Sequence, residues 1–238
     1  MKLKETLIHR WLSVPYVLHT TVRHPSSKKA PTILFLHGIG NSGEAWKDVI
    51  QKLPKDYRII TIDLLGFGKS PKPSWDTYDA KRQARSVLAT YLSLRMHGRV
   101  ILVGHSLGAL VAVEMAKLYP IIIHSLILCS PPFYRIDETK RRHMLRADSM
   151  IRETYRIAKK RPDQFVRLGI LAAKLGLVNE SFSLTKDNVT AYFSALESCI
   201  INQTALEDAE KLTMPTHIIH GRLDPVVIGK NLRYLKKQ

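Results

Sequence analysis

Residues 100–108, Val-Ile-Leu-Val-Gly-His-Ser-Leu-Gly, constrain the fold of this chain more than any other stretch. A continuous apolar run enters a Gly-x-Ser-x-Gly turn, and Ala109 to Lys117 leaves it at helical spacing. A strand that reverses at once into a helix forces the residue at the apex into a strained backbone. It also leaves no room for neighbouring side chains, which is why glycine stands at 104 and 108. Ser106 occupies the apex and is the candidate nucleophile.

The segments around this turn alternate in character. Leu7 to Trp11 and Tyr16 to Arg23 read as two short strands joined around Val14-Pro15. Thr32 to Leu36 is a buried-type strand ending in His37-Gly38-Ile39-Gly40-Asn41, after which Ser42 caps a helix with Trp46, Val49, Ile50 and Leu53 on one face. Arg58 to Ile62 is the next strand, closed by Asp63 and a Gly66/Gly68 loop, and a helix over about 78–96 leads to the strand before Ser106. Ile121 to Leu128 is another strand. Helical patterns then take over at 147–160, 163–175 and 186–199, and strand character returns at Thr216 to His220, followed by a turn through Asp224-Pro225 and a final helix.

Strands alternating with helices and apolar on both faces predict an α/β fold, a mainly parallel sheet covered on both sides. The domain reading is a core over 1–131, a helical cap over 132–206 inserted after the sixth strand, and the second part of the core over 207–238.

The 238 residues, 45% hydrophobic, suffice to bury a large core. No apolar stretch reaches membrane-spanning length, and the start lacks the apolar block of a secretory signal, so a cytoplasmic protein is expected. Cys129 and Cys199 have neither disulfide-framework nor metal-ligand spacing, and no metal or cofactor is expected. The net charge of +17 raises the question of an anionic partner. Eleven of the basic residues fall between Lys140 and Lys174, against Asp148, Glu153 and Asp163. No nucleic-acid signature accompanies them, so none is expected as a partner. They read as solvated helix faces, or as an attraction for an anionic or carrier-bound substrate.

Four motifs follow in order: His37-Gly38, Asp63-Leu64-x-Gly66-x-Gly68-x-Ser70, Gly104-x-Ser106-x-Gly108 and His220-Gly221-x-x-Asp224-Pro225. In these the sequence resembles the α/β-hydrolase fold superfamily, of the capped serine hydrolase or esterase type, over nearly its whole length. The resemblance implies a serine hydrolase of carboxylic esters or related acyl compounds, working through an acyl-enzyme. Ser106 is then the nucleophile and Asp224 the acid of a catalytic triad, the backbone N–H groups of Ile39 and Leu107 form the oxyanion hole, and His37, Gly38 and Asp63 support the oxyanion loop. C–C bond hydrolases, lactonases and perhydrolases share these motifs. For Asp224 a helix N-cap before Pro225 fits the spacing equally well. His37 and His105 flank the site and are expected to be structural.

One departure stands out. The base should be a histidine after another helix and strand, yet 14 residues follow Asp224 and none is histidine. A helix and strand of average length need roughly 16 to 18 residues. The expectation is a chain truncated before its base, nearly inert as given, with the catalytic histidine beyond residue 238 and an exposed apolar edge on the strand at 216–220. The competing reading is a non-catalytic binding or scaffold protein on the same fold.

Overall fold

The computed structural model describes residues 3–25, 27, 30–96, 98–134, 146–175, 178–224 and 226–235. Six strands form one sheet: β1 (Thr20–Arg23), β2 (Thr32–Leu36), β3 (Arg58–Ile62), β4 (Val100–His105), β5 (Ile123–Cys129) and β6 (Thr216–Ile219). Their order is β1-β3-β2-β4-β5-β6. Only β1 runs antiparallel, against β3, and the remaining pairs are parallel.

Period-two alternation divides the apolar runs between two faces. Leu34, Leu36, Ile60, Ile62, Val100 and Leu102 enter the larger core, while Ile33, Phe35, Ile59 and Val103 pack with Trp46 on the opposite face. Both faces are thus covered, which is why these strands are mostly apolar rather than alternately polar. Each such side chain removed from water stabilises the fold by roughly 1.5–3 kcal/mol.

Helix α1 (Leu3–Glu5) continues as a π-helical turn over Thr6–Trp11. The strand expected at Leu7 to Trp11 is therefore helical, and β1 begins at Thr20 rather than Tyr16. The apolar residues of 7–11 and Val17 fit a strand pattern, but Leu7, Trp11 and Val17 are exposed and pair with nothing in the described sheet. Five strands, not six, consequently precede the helical segment.

A 3-10 turn (Gly43–Trp46), with Ser42 Oγ accepting from Glu44 N, leads into α2 (Lys47–Lys52); Trp46 is buried but Val49 is exposed. Helix α3 (Ala80–Ser93) starts at Asp79, whose side chain accepts from Arg82 N. Helix α4 (Leu107–Leu118) is buried along most of its length, as its apolar run from Leu107 to Val113 demands. Between β5 and β6 lie α5 (Arg146–Lys160), α6 (Pro162–Lys174), α7 (Val189–Ala195, prolonged by a π-helical turn Leu196–Ile201) and α8 (Ala205–Ala209). After β6 comes α9 (Gly229–Leu235). Within the described sheet β6 is an edge, with Thr216, His217 and Ile219 exposed.

Candidate functional site

Ser106 lies between the end of β4 and the start of α4 with φ 50° and ψ −116°. This is a backbone region that non-glycine residues avoid, costing on the order of 1–3 kcal/mol, and only the surrounding packing can hold it. Two backbone hydrogen bonds contribute to that hold. Ser106 N donates to Cys129 O at 3.0 Å, and Ser106 O accepts from Ala109 N at 2.9 Å to open α4. A Cβ on Gly104 would collide with the backbone of Gly108, and one on Gly108 would come within 2.7 Å of His37 O and closer still to Leu36 O. The two glycines therefore let α4 press against β4 and the end of β2.

The loop after β2 passes directly beside the serine. A Cβ on Gly38 would lie 2.8 Å from His105 Nδ1 and 3.4 Å from Ser106 Cβ. Ile39 follows half-buried, and Asn41 N donates to Gly38 O at 3.1 Å, tightening the loop. Leu107, fully buried, is the first residue of α4, where backbone N–H groups lack intrahelical partners.

His37 braces this loop and has no free ring nitrogen. Its Nε2 accepts from Leu64 N at 2.8 Å, so Nδ1 carries the proton and donates to Gly38 O at 2.8 Å. Complete burial lowers its pKa to about 4, opposed by the Gly38 carbonyl and the charge of Asp63. The ring is neutral at physiological pH. Asp63 accepts Gly43 N on Oδ1 at 2.7 Å and Lys69 N on Oδ2 at 2.8 Å, with His19 Nδ1 at 3.1 Å from Oδ2. It ties the turn after β2 to the loop after β3.

Other supports gave no motif in the sequence. Gln83, fully buried on α3, clasps the Leu65 peptide, its Oε1 accepting from Leu65 N and its Nε2 donating to Leu65 O, both at 2.9 Å. Its signal was a polar residue on the buried face of a helix. The 181–183 segment crosses the loop after β2: Ser183 N donates to Gly40 O at 2.7 Å, Ser181 Oγ donates to Asn41 Oδ1 at 2.9 Å, and the Phe182 ring lies where a Cβ on Gly40 would stand. No local pattern could have announced that contact.

Asp224 is half-buried, and its Oδ1 accepts from Val226 N at 3.0 Å. This closes a short turn, and α9 begins five residues after Asp224, so Asp224 is not the N-cap of that helix. Its charge reaches the elbow: burial lowers the pKa of His105, and Asp224 partly restores it. His105 packs edge-on against Trp46 with ring centroids 6.4 Å apart. Among the described residues no histidine is hydrogen-bonded to Ser106 Oγ.

Phe133, expected in the cap, is buried in the main core. Phe165, Tyr192 and Phe193 form an aromatic cluster with centroids 5.4–6.0 Å apart, whereas Leu168 is exposed. Met144, Leu145 and Pro225 lie outside the described residues. Cys199 is buried and Cys129 partly so. No cluster of His, Cys, Asp or Glu fit to hold a metal occurs among the described residues.

A mostly parallel sheet covered by helices, with a strained serine between a central strand and the helix behind it, is the architecture of an α/β hydrolase. The family model for the alpha/beta hydrolase fold matches residues 31–238, and the chain belongs to that family. Among curated proteins it is similar to Arabidopsis thaliana BODYGUARD 1, named a probable lysophospholipase, at 34% identity over 55% of this chain and 29% of that protein. The chain thus spans less than a third of the length of the plant relatives it matches. It is 25% identical to a 2-hydroxy-6-oxo-6-(2'-aminophenyl)hexa-2,4-dienoic acid hydrolase of Metapseudomonas resinovorans, over 86% of this chain and 72% of that one. In structure it is similar to an esterase from Exiguobacterium antarcticum, with a TM-score of 0.74 at 18% identity over 92% of this chain and 82% of the other, a likeness of fold alone.

Proposed function

We propose that the protein is a serine hydrolase of carboxylic esters or related acyl compounds, acting through an acyl-enzyme on Ser106. The observation that carries this reading is the serine held at φ 50° beside Gly38 and at the head of α4, where helix N–H groups lack intrahelical partners. Ser106 Oγ attacks the acyl carbon and its proton passes to a histidine base, which we assign to a residue outside those described. Asp224 orients that base and stabilises its charged form. The Ile39 and Leu107 N–H groups donate to the oxyanion, and its collapse expels the alcohol, which takes the proton from the base. Water then repeats the sequence at the acyl carbon, releasing the acid and restoring Ser106.

The helical segment over 132–206 serves as the cap, and Phe182 and Ser183 bring it against the oxyanion loop. Its exposed cations, among them Lys160, Arg161 and Arg167, favour an anionic or carrier-bound acyl compound. The relative matched over 86% of this chain supports a second reading, cleavage of a C–C bond by the same serine.

Hydrolysis of a p-nitrophenyl ester by the full-length protein tests the proposal. Turnover should fall on the order of 10⁴-fold or more in Ser106→Ala and in Asp224→Asn. Undiminished turnover in Ser106→Ala would remove the assignment, and turnover of a vinylogous diketone but no ester would select the C–C reading.

A further inference from the structure

The N-terminal segment carries a surface that the catalytic reading does not use. Leu7, Trp11, Leu12, Val14 and Val17 are all exposed, Trp11 at 76% and Leu12 at 66%. Within these eleven consecutive residues Leu12 N donates to Leu7 O at 3.0 Å, and Val14 and Val17 line one groove, so the exposed side chains lie close together. The opposite side of the segment is anchored. His9 stacks on buried Tyr16 with ring centroids 3.7 Å apart, Arg82 Nη2 donates to His9 O at 3.3 Å, and Arg85 Nη2 donates to Ser13 O at 3.2 Å. The apolar side chains are thus held outward by a fixed backbone.

Cations border the patch. Lys4 and Arg10 are exposed on the same helical segment. A groove of about 900 Å³ runs between this segment and the 69–74 loop, lined by His9, Val14, Val17, Lys69, Lys72 and Pro73, with Glu5 the acidic residue on its wall. Of the nearby carboxylates, Asp76 is buried and paired with Arg82 at 2.7 Å, so it does not cancel this charge. Apolar side chains flanked by lysine and arginine, on a chain of net charge +17, complement a surface that is apolar inside and negative at its face.

We propose that this face docks the protein on a membrane surface rich in anionic lipid, with Trp11 and Leu12 entering the headgroup boundary and Arg10 and Lys69 meeting lipid phosphates. No helix among the described residues is long and apolar enough to cross a membrane, so the contact is with the surface. Docking brings the enzyme to amphiphilic compounds without requiring a span.

Co-sedimentation of the full-length protein with vesicles tests this. Vesicles of phosphatidylcholine with phosphatidylglycerol should bind the protein, and phosphatidylcholine alone should bind it weakly. Trp11→Ser with Leu12→Ser should lower the partition coefficient roughly tenfold or more, and Arg10→Gln or Lys69→Gln by roughly fivefold each. Val49→Ser, an exposed apolar residue on α2, should change nothing. If the double variant folds poorly by circular dichroism, Leu12→Ser alone with the two charge variants decides the matter. Equal binding to both vesicles, or binding unaltered by the apolar substitutions, would overturn the proposal. So would a lipid-free dimer in sedimentation velocity that Trp11→Ser dissolves, which would assign the face to a second copy of the chain.

Discussion

Replacing Ser106 by glycine probes the elbow through stability rather than turnover. The serine sits at φ 50° and ψ −116°, a conformation costing on the order of 1–3 kcal/mol for a residue with a Cβ and little for glycine. Against that relief stands the greater freedom of glycine in the unfolded chain, about 0.4–1 kcal/mol, and a few tenths for the lost half-buried Cβ. About 1 kcal/mol of stabilisation should remain. Ser106→Ala keeps the Cβ and hence the strain, and Ser106 Oγ has no hydrogen-bond partner among the described residues, so this variant should stay within about 0.5 kcal/mol of the parent. Urea titration should give Ser106→Gly a higher midpoint than Ser106→Ala, and melting should separate them by roughly 2–4 °C for a chain of this size. A glycine variant no more stable than the alanine variant would refute the argument that packing imposes strain at this position.

Three further outcomes follow from the loops around the serine. Because burial holds the His37 pKa at about 4, below its ordinary value near 6.5, the unfolded chain binds the extra proton first. Stability is therefore full above about pH 6.5 and is lost as pH falls toward 4, with a slope of up to about 1.4 kcal/mol per pH unit, and urea midpoints across this window should fall less steeply in His37→Gln. Gly108→Ala drives a methyl into the carbonyls of Leu36 and His37 and should cost roughly 1–3 kcal/mol in urea unfolding. Asp63→Asn sets an amide NH₂ against one of the N–H donors of Gly43 and Lys69, and loses roughly 1–3 kcal/mol by the same measure.

The parts of the fold legible in sequence were those whose signal is local. β2, β3 and β4 stand where largely apolar runs predict them, because burial on both faces leaves few polar positions in a strand. The elbow was legible because clearance at 104 and 108 admits only glycine. The misreading at Leu7 to Trp11 has a physical source: a short apolar run fits strand or helix, and only the absence of a pairing partner separates them. The placement of His37 and Asp63 just after strand ends was legible. Gln83 and Phe182 were not, since their roles depend on which backbone lies opposite in the folded chain. Asp224 stands between these cases: its turn is visible in the sequence, but its influence on the elbow depends on the approach of the loop after β6 to His105.

The central claim is that Ser106 is the reacting nucleophile, and covalent labelling reads it most directly. The full-length protein and Ser106→Ala are treated with a fluorophosphonate probe, and the modified peptide is identified by mass spectrometry. A single phosphonyl adduct on Ser106, lost in the alanine variant, is the predicted result. An adduct on another residue, undiminished labelling of Ser106→Ala, or full-length protein that leaves Ser106 unmodified would contradict the account.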